Sequence, residues 1–250
     1  MLKKTLLTAV VSLAGAATCI AVTTPAFADT ATPTPTATPS NTAKAAKPAK
    51  TLAQLQSEGA AATAKRIASL TTAIGKVNAD KYLTSGDKST ILNTFSGDLS
   101  GLQNLAAQIA ATTTTADAKA ELLKIGSQYR VYSVAIPQAR IATEADRLGG
   151  PETTALTAAQ KRLTTLLNGK DKAKSTEALQ SELTDIGHQL DTIASDTKGL
   201  SANALGVTPA AYNADHAVLR ADKAAANAAQ SAARKAHADV KTIVTALKKK

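Results

Sequence analysis

From Thr51 onward the apolar residues recur at alternating spacings of three and four, and this pattern decides the fold class. Ile67, Leu70, Ile74 and Val77 set the rhythm; Leu92, Phe95, Leu99, Leu102, Ala106 and Ile109 continue it. It returns at Leu179, Leu183, Ile186, Leu190, Ile193, Thr197 and Leu200. Such spacing lines one narrow stripe of a helix, and the alternation of two expected of strands is nowhere sustained. The sequence therefore predicts an all-α fold, an elongated bundle of about six helices. It reads either as one continuous bundle over 51–250 or as two three-helix units, 51–150 and 151–250.

Breaks between the periodic stretches give the boundaries. Helix one is expected from about Leu52 to Asp80, and Thr84-Ser85-Gly86-Asp87 reads as a cap with an acid in the first turn of helix two. Helix two runs to about Ala111. Helix three follows with Thr115 as its cap, and Pro137 inside it predicts a kink or break near Ser133 to Ile136. Gly149-Gly150-Pro151 is expected to stop it. Helix four, about Thr153 to Leu167, ends at Asn168-Gly169, and helix five spans about Ser175 to Ala204. Thr208-Pro209 then supplies a hydroxyl cap and a proline at the first helical position, opening a sixth helix of about forty residues. Between Ala221 and Val240 about half the residues are alanine, which favours helix and close packing while burying little area.

Composition excludes several chemistries. Aromatic residues are 2% of the chain and Trp is absent, so a large aromatic core and a base-stacking nucleic-acid platform are not offered. One cysteine, Cys19, and three histidines exclude a disulfide framework and a thiolate metal cage. His188, His216 and His237 have no metal-ligand spacing, and no catalytic constellation stands out. The expectation is a non-enzymatic protein with no cofactor and no metal.

The N-terminal segment carries an address. Lys3 and Lys4 precede an apolar run from Thr5 to Val22, and Thr23-Thr24-Pro25-Ala26-Phe27-Ala28 closes it. Small residues at Ala26 and Ala28 match the narrow pockets of a signal peptidase, so 1–28 reads as a secretory signal peptide with the mature chain beginning at Asp29. The alternative is an uncleaved anchor, the one route by which this chain would hold a membrane. A lipoprotein acylated at Cys19 is rejected, since Thr18 precedes it and Ile20-Ala21-Val22 continue the apolar run. From 29 to 50 the chain is Thr, Pro, Ala and Lys, a semi-extended, disordered tether with nothing to bury. The predicted location is extracellular, with the cell wall as a point of attachment.

The net charge of +10 invites a polyanion reading, but eight of the 29 basic residues lie near the ends, as Lys3, Lys4, Lys44, Lys47, Lys50, Lys248, Lys249 and Lys250. Along the helices both signs are interspersed, as on a solvated surface. The clusters Lys44, Lys47, Lys50 and Lys248 to Lys250 are candidate tails for anionic envelope polymers, binding through charge without sequence recognition of nucleic acid. The densest chemistry lies in helix three. Arg130, Tyr132, Gln138, Arg140 and Arg147 form a candidate anion- or ligand-binding notch beside Pro137. The competing reading makes the tyrosines bundle core and the arginines salt-bridge partners, with Arg140, Glu144 and Arg147 on one helix face.

The stretch Tyr129-Arg130-Val131-Tyr132-Ser133-Val134-Ala135-Ile136-Pro137-Gln138-Ala139-Arg140, continuing to Ala145-Asp146-Arg147, resembles a segment of a group of uncharacterised secreted, Ala/Thr-rich helical proteins of bacteria. The C-terminal run Ala238 to Lys248 is similar to the end of the same group. The resemblance spans about Leu52 to Lys248 and implies export and a helical fold; it carries no activity, so no functional residue transfers. The function expected is that of an envelope-associated structural or interaction module, the alternative being a binding module for an anionic envelope polymer or small ligand. Surface proteins are further candidate partners, and the pattern does not choose an oligomeric state.

Overall fold

Hydroxyl residues close the first turns of most helices. The computed structural model describes residues 48–248. Helix α1 spans Leu52–Ala79, where the Thr51 side chain accepts the Gln54 N–H and the Gln54 side chain accepts the Thr51 N–H at 2.9 Å. This reciprocal box satisfies N–H groups that a helix start leaves without partners. Helix α2 (Ser85–Ala111) opens on Thr84, whose hydroxyl accepts the Asp87 N–H, with Asp87 beside the positive helix end as expected. Helix α3 (Thr115–Ser127) opens on Thr114, not Thr115, because Thr114 stands three residues before the Asp117 N–H it accepts.

The all-α fold is as read from the sequence, and its six helical segments are present. Three of them are divided once, giving nine α-helices among the described residues. The third segment breaks at Arg130 (φ −72°, ψ 49°), upstream of the expected kink, and Val131–Ala135 forms a wide turn with the Ile136 N–H reaching Val131 O. Pro137 then falls in the first turn of α4 (Ile136–Arg147), where its missing N–H removes no helical bond. The proline starts a helix and does not kink one. Gly149-Gly150-Pro151 likewise does not stop the chain: Leu148–Glu152 makes a second wide turn, closed by the Thr153 N–H on Leu148 O, and runs into α5 (Thr153–Asn168).

The fifth segment divides at Gly199, the single positive φ among the described residues (69°), between α6 (Glu177–Thr197) and α7 (Leu200–Leu205). The sixth begins as expected, with Thr208 capping and Pro209 leading α8 (Pro209–Ala214). It does not run on for forty residues. Asp215 turns extended and its Oδ1 accepts the Ala217 N–H at 2.8 Å, so α9 starts afresh at Arg220 and runs to Lys248.

Helices α1, α2 and α3 share a core built on Leu70, Phe95, Leu102, Ile109 and Ile125. Helices α6 and α9 form the most extensive pair, with Ile193 against Ala229, Ala233 and Ala236, and Leu183 and Ile186 against Ile243. Burying an Ile or Leu side chain stabilises by about 1.5–3 kcal/mol, whereas each alanine adds little and lets the backbones approach. Helix α4 joins the two regions. Its Ala135-side edge, with Ala139 and Ala142, packs into the first core, while Ile141 and Ala145 pack against Leu200 and Ala204 of α7. No described helix is long and apolar enough to cross a membrane.

Ala26, Ala28, Asp29, Lys44, Lys47, Lys249 and Lys250 lie outside the described residues. Lys50 is exposed and pairs with Glu58 at 2.6 Å. Lys248 is exposed in the last turn of α9, where a cation is favoured by the helix dipole.

Candidate functional site

The five residues of the proposed notch are sent to different places by the two breaks around them. Arg130, at the end of α3, donates from Nε and Nη2 to Asn213 Oδ1 at 2.8 and 2.6 Å, and its guanidinium lies 5.2 Å from the Tyr212 ring centre. Asn213 donates in turn to Ser127 O at 2.9 Å, so these groups fasten α8 to the end of α3. Gln138 is buried, and its amide donates to Ala204 O at 2.7 Å and to Val207 O, closing the C-terminus of α7. Arg147 bridges Glu144 at 2.7 Å and Glu152 at 3.1 Å. Glu144 also accepts from Gln230 of α9 at 3.0 Å, and Glu152 meets His237. The Glu144 hydrogen bond raises the Arg147 pKa further above its ordinary value. Three of the five residues therefore serve the fold.

Tyr132 and Arg140 are left. The Tyr132 hydroxyl meets Ser69 Oγ at 2.9 Å and the ring, 44% exposed, receives the Arg66 guanidinium at 5.4 Å. Arg140 is exposed and makes no ion pair or hydrogen bond through its side chain among the described residues. It stands on a ridge of α4 between two clefts. The larger, about 590 Å³, lies between α1 and α4 and is bounded by Lys76, Val77, Phe95, Ile136, Arg140 and Thr143 among others. The smaller, about 440 Å³, lies towards α9, with Tyr132, Pro137, Arg140, Lys223 and Gln230 around it. Sequence reasoning confined to one segment missed Lys76, Phe95 and Lys223. No local signal ties them to Arg140, because helix packing alone brings them together.

A second polar cluster joins α2, α4 and α7. Asp146 Oδ2 accepts the Thr84 N–H at 2.7 Å, and Asp87 accepts the Ser201 hydroxyl. Burial pushes the Asp146 carboxyl above the usual range, opposed by the Thr84 bond and assisted by the charge of Asp87. Asp98 of α2 is pushed up to about 6 by burial alone. Among the described residues no group of three or more His, Cys, Asp or Glu side chains is placed to hold a metal ion. What the α4 surface offers chemically is an apolar floor beside uncommitted cations.

No protein-family model matches the chain, and neither curated proteins nor solved structures show significant similarity to it.

Proposed function

We propose that the chain is an exported, non-enzymatic helical module that works at or near the cell envelope as a structural or interaction element. The observation that carries this reading is the abrupt boundary at Thr51. Pro48 to Lys50 are exposed and outside any regular element, and the capping box of α1 begins at the next residue. A Thr/Pro/Lys tract joined directly to a self-capped bundle is the arrangement of a displayed domain on a tether. Lys235 with Asp185 and His237 with Glu152 tie α9 to other parts of the bundle.

The test is fractionation of producing cells into cytosol, membrane, wall and medium, with N-terminal sequencing of the product. A chain beginning at Asp29 in the wall or medium is expected. A chain beginning at Met1 in the cytosol, or turnover of envelope glycans by the purified protein, overturns the proposal.

A second reading, a binding module for anionic envelope polymers, is favoured by the exposed Lys248 at the end of α9, next to Lys249 and Lys250 in sequence. It expects retention on isolated envelopes that is lost at high salt and on replacing both lysine clusters by glutamine.

A further inference from the structure

We propose that the cleft between α1 and α4 binds a single-chain amphiphile with an anionic head, a carboxylate or a phosphate ester, its chain lying over Ala73 and Ile136 and its head on Arg140 and Lys76. This reading goes beyond envelope association and does not depend on where the chain resides.

The chemistry of the rim selects the head. Several polar groups around the cleft are already engaged. The Thr72 and Thr143 hydroxyls donate to the carbonyls of Ala68 and Ala139, at 3.0 and 2.8 Å. The Ser69 hydroxyl is taken up by Lys65 O and Tyr132. Glu144 accepts from Arg147 and Gln230, so its charge is compensated from behind, and Asp80 Oδ1 accepts the N–H groups of Tyr82 and Leu83. Lys76 and Arg140, by contrast, are exposed and make no side-chain bond among the described residues. They are the uncommitted donors of the cleft, and both are cations.

The floor selects the rest of the ligand. Val77 and Phe95 are buried in the first core beneath the cleft, and the half-buried Ala73 and Ile136 that pack against that core present its apolar surface. A bare anion on two exposed cations would gain little in water. A neutral apolar ligand would cover the floor but desolvate the cations without a partner. An amphiphile with an anionic head satisfies both, and a cleft of about 590 Å³ is of small-ligand size. The wide turn Val131–Ala135 ends immediately before Ile136, and turns of this kind recur at functional sites.

Titration calorimetry of the purified chain tests this, with decanoate, decyl phosphate and the neutral decyl maltoside as probes below their micelle concentrations. One anionic probe or both should bind once per chain, at least about tenfold more tightly than the maltoside. Arg140→Gln and Lys76→Gln should each weaken that binding by about tenfold, and Ala73→Leu should block it by filling the cleft. Lys50→Gln, remote from the cleft and paired with Glu58, should leave it unchanged. The tighter of the two anionic probes names the head group. Equal affinity for the maltoside, wild-type affinity in the Arg140→Gln/Lys76→Gln double variant, or no binding of either anion would overturn the proposal. The charge variants sit on the surface and retain the fold, so the test stands even where Ala73→Leu does not.

Discussion

Gln138→Leu distinguishes a residue that serves the fold from one that serves a ligand. Leucine keeps most of the side-chain volume and removes the two amide donors. Ala204 O loses the Gln138 amide but keeps the Val207 N–H at 3.2 Å. Val207 O loses the amide at a half-buried position where water replaces it only in part. A net hydrogen bond contributes about 1 kcal/mol, and a buried acceptor left unpaired costs about 1–3 kcal/mol. The two losses together come to about 3 kcal/mol, and the added apolar burial of leucine returns about 1 kcal/mol. A net cost of about 2 kcal/mol lowers the urea midpoint by about 1 M at the slope usual for domains of this size. Amide exchange should accelerate most at Asn203 to Val207, since α7 is only six residues long and its end loses its closure. A midpoint within about 0.2 M of wild type, with α7 amides still protected, would refute the assignment. Arg140→Gln, at an exposed and unpaired position, should change stability by less than about 0.5 kcal/mol in the same assay.

Gly199→Ala forces a side chain onto a φ of 69° and should cost about 1–2 kcal/mol in thermal unfolding although nothing crowds its Cβ; no loss would mean that the turn relaxes freely. Gly59→Ala sets a Cβ 2.7 Å from Cγ2 of the buried Ile109 and should cost about 1–3 kcal/mol, whereas Gly75→Ala in the same helix meets no atom within 4 Å and should be neutral or stabilising. Comparable urea midpoints for these two variants would contradict the close packing of α1 on α2. Burial raises the Asp98 carboxyl to about 6 from an ordinary value near 3.8, so between those pH values the native state holds a proton that the unfolded chain has released. Stability should therefore fall as pH rises from about 4 to about 6 and stay lower above that. Asp98→Asn should raise stability at pH 7 by on the order of 1–2 kcal/mol, allowing for partial solvent access, and leave it unchanged at pH 3.5. An equal gain at both pH values would exclude burial of the charge as the cause.

Features set by a few neighbouring residues were legible in the sequence. The seams at Leu70, Phe95, Leu102, Ile186 and Ile193 are all buried, and the starts at Thr84 and Thr208-Pro209 are where hydroxyl spacing puts them. Breaks that depend on distant partners were not legible. Arg130 leaves the helix to reach Asn213 and Tyr212, 83 and 82 residues further along the chain, and no local pattern announces that. Gly199 was hidden because the apolar rhythm runs through it from Ile193 to Leu200. Pro137 and Pro151 were visible but misread, since a wide turn beside each lets the chain absorb a residue without an N–H. The five notch residues divide for the same reason as the breaks. Gln138 and Arg147 meet partners from other segments, whereas Tyr132 and Arg140 border the clefts.

The geometry of α4 explains why clefts form there. At 100° per residue, Ile136, Arg140, Glu144 and Arg147 fall on one stripe. On one flank Ala135, Ala139 and Ala142 pack into the first core, and on the other Ile141, Ala145 and Leu148 pack towards α7 and α9. The small alanines on both flanks draw the neighbouring helices in close along the edges, and the stripe between them is only half-buried, with Arg140 exposed at its middle. A groove is therefore left on each side of it. The stripe is itself graded: Ile136 is apolar, Arg140 is unpaired, and Glu144 and Arg147 neutralise each other. An apolar end next to a lone cation, along the edge of a groove, complements the tail and head of an anionic amphiphile. Ile136→Ser should then weaken decanoate more than the shorter-chain octanoate, and Arg140→Gln should weaken both alike, which separates the contribution of the floor from that of the rim.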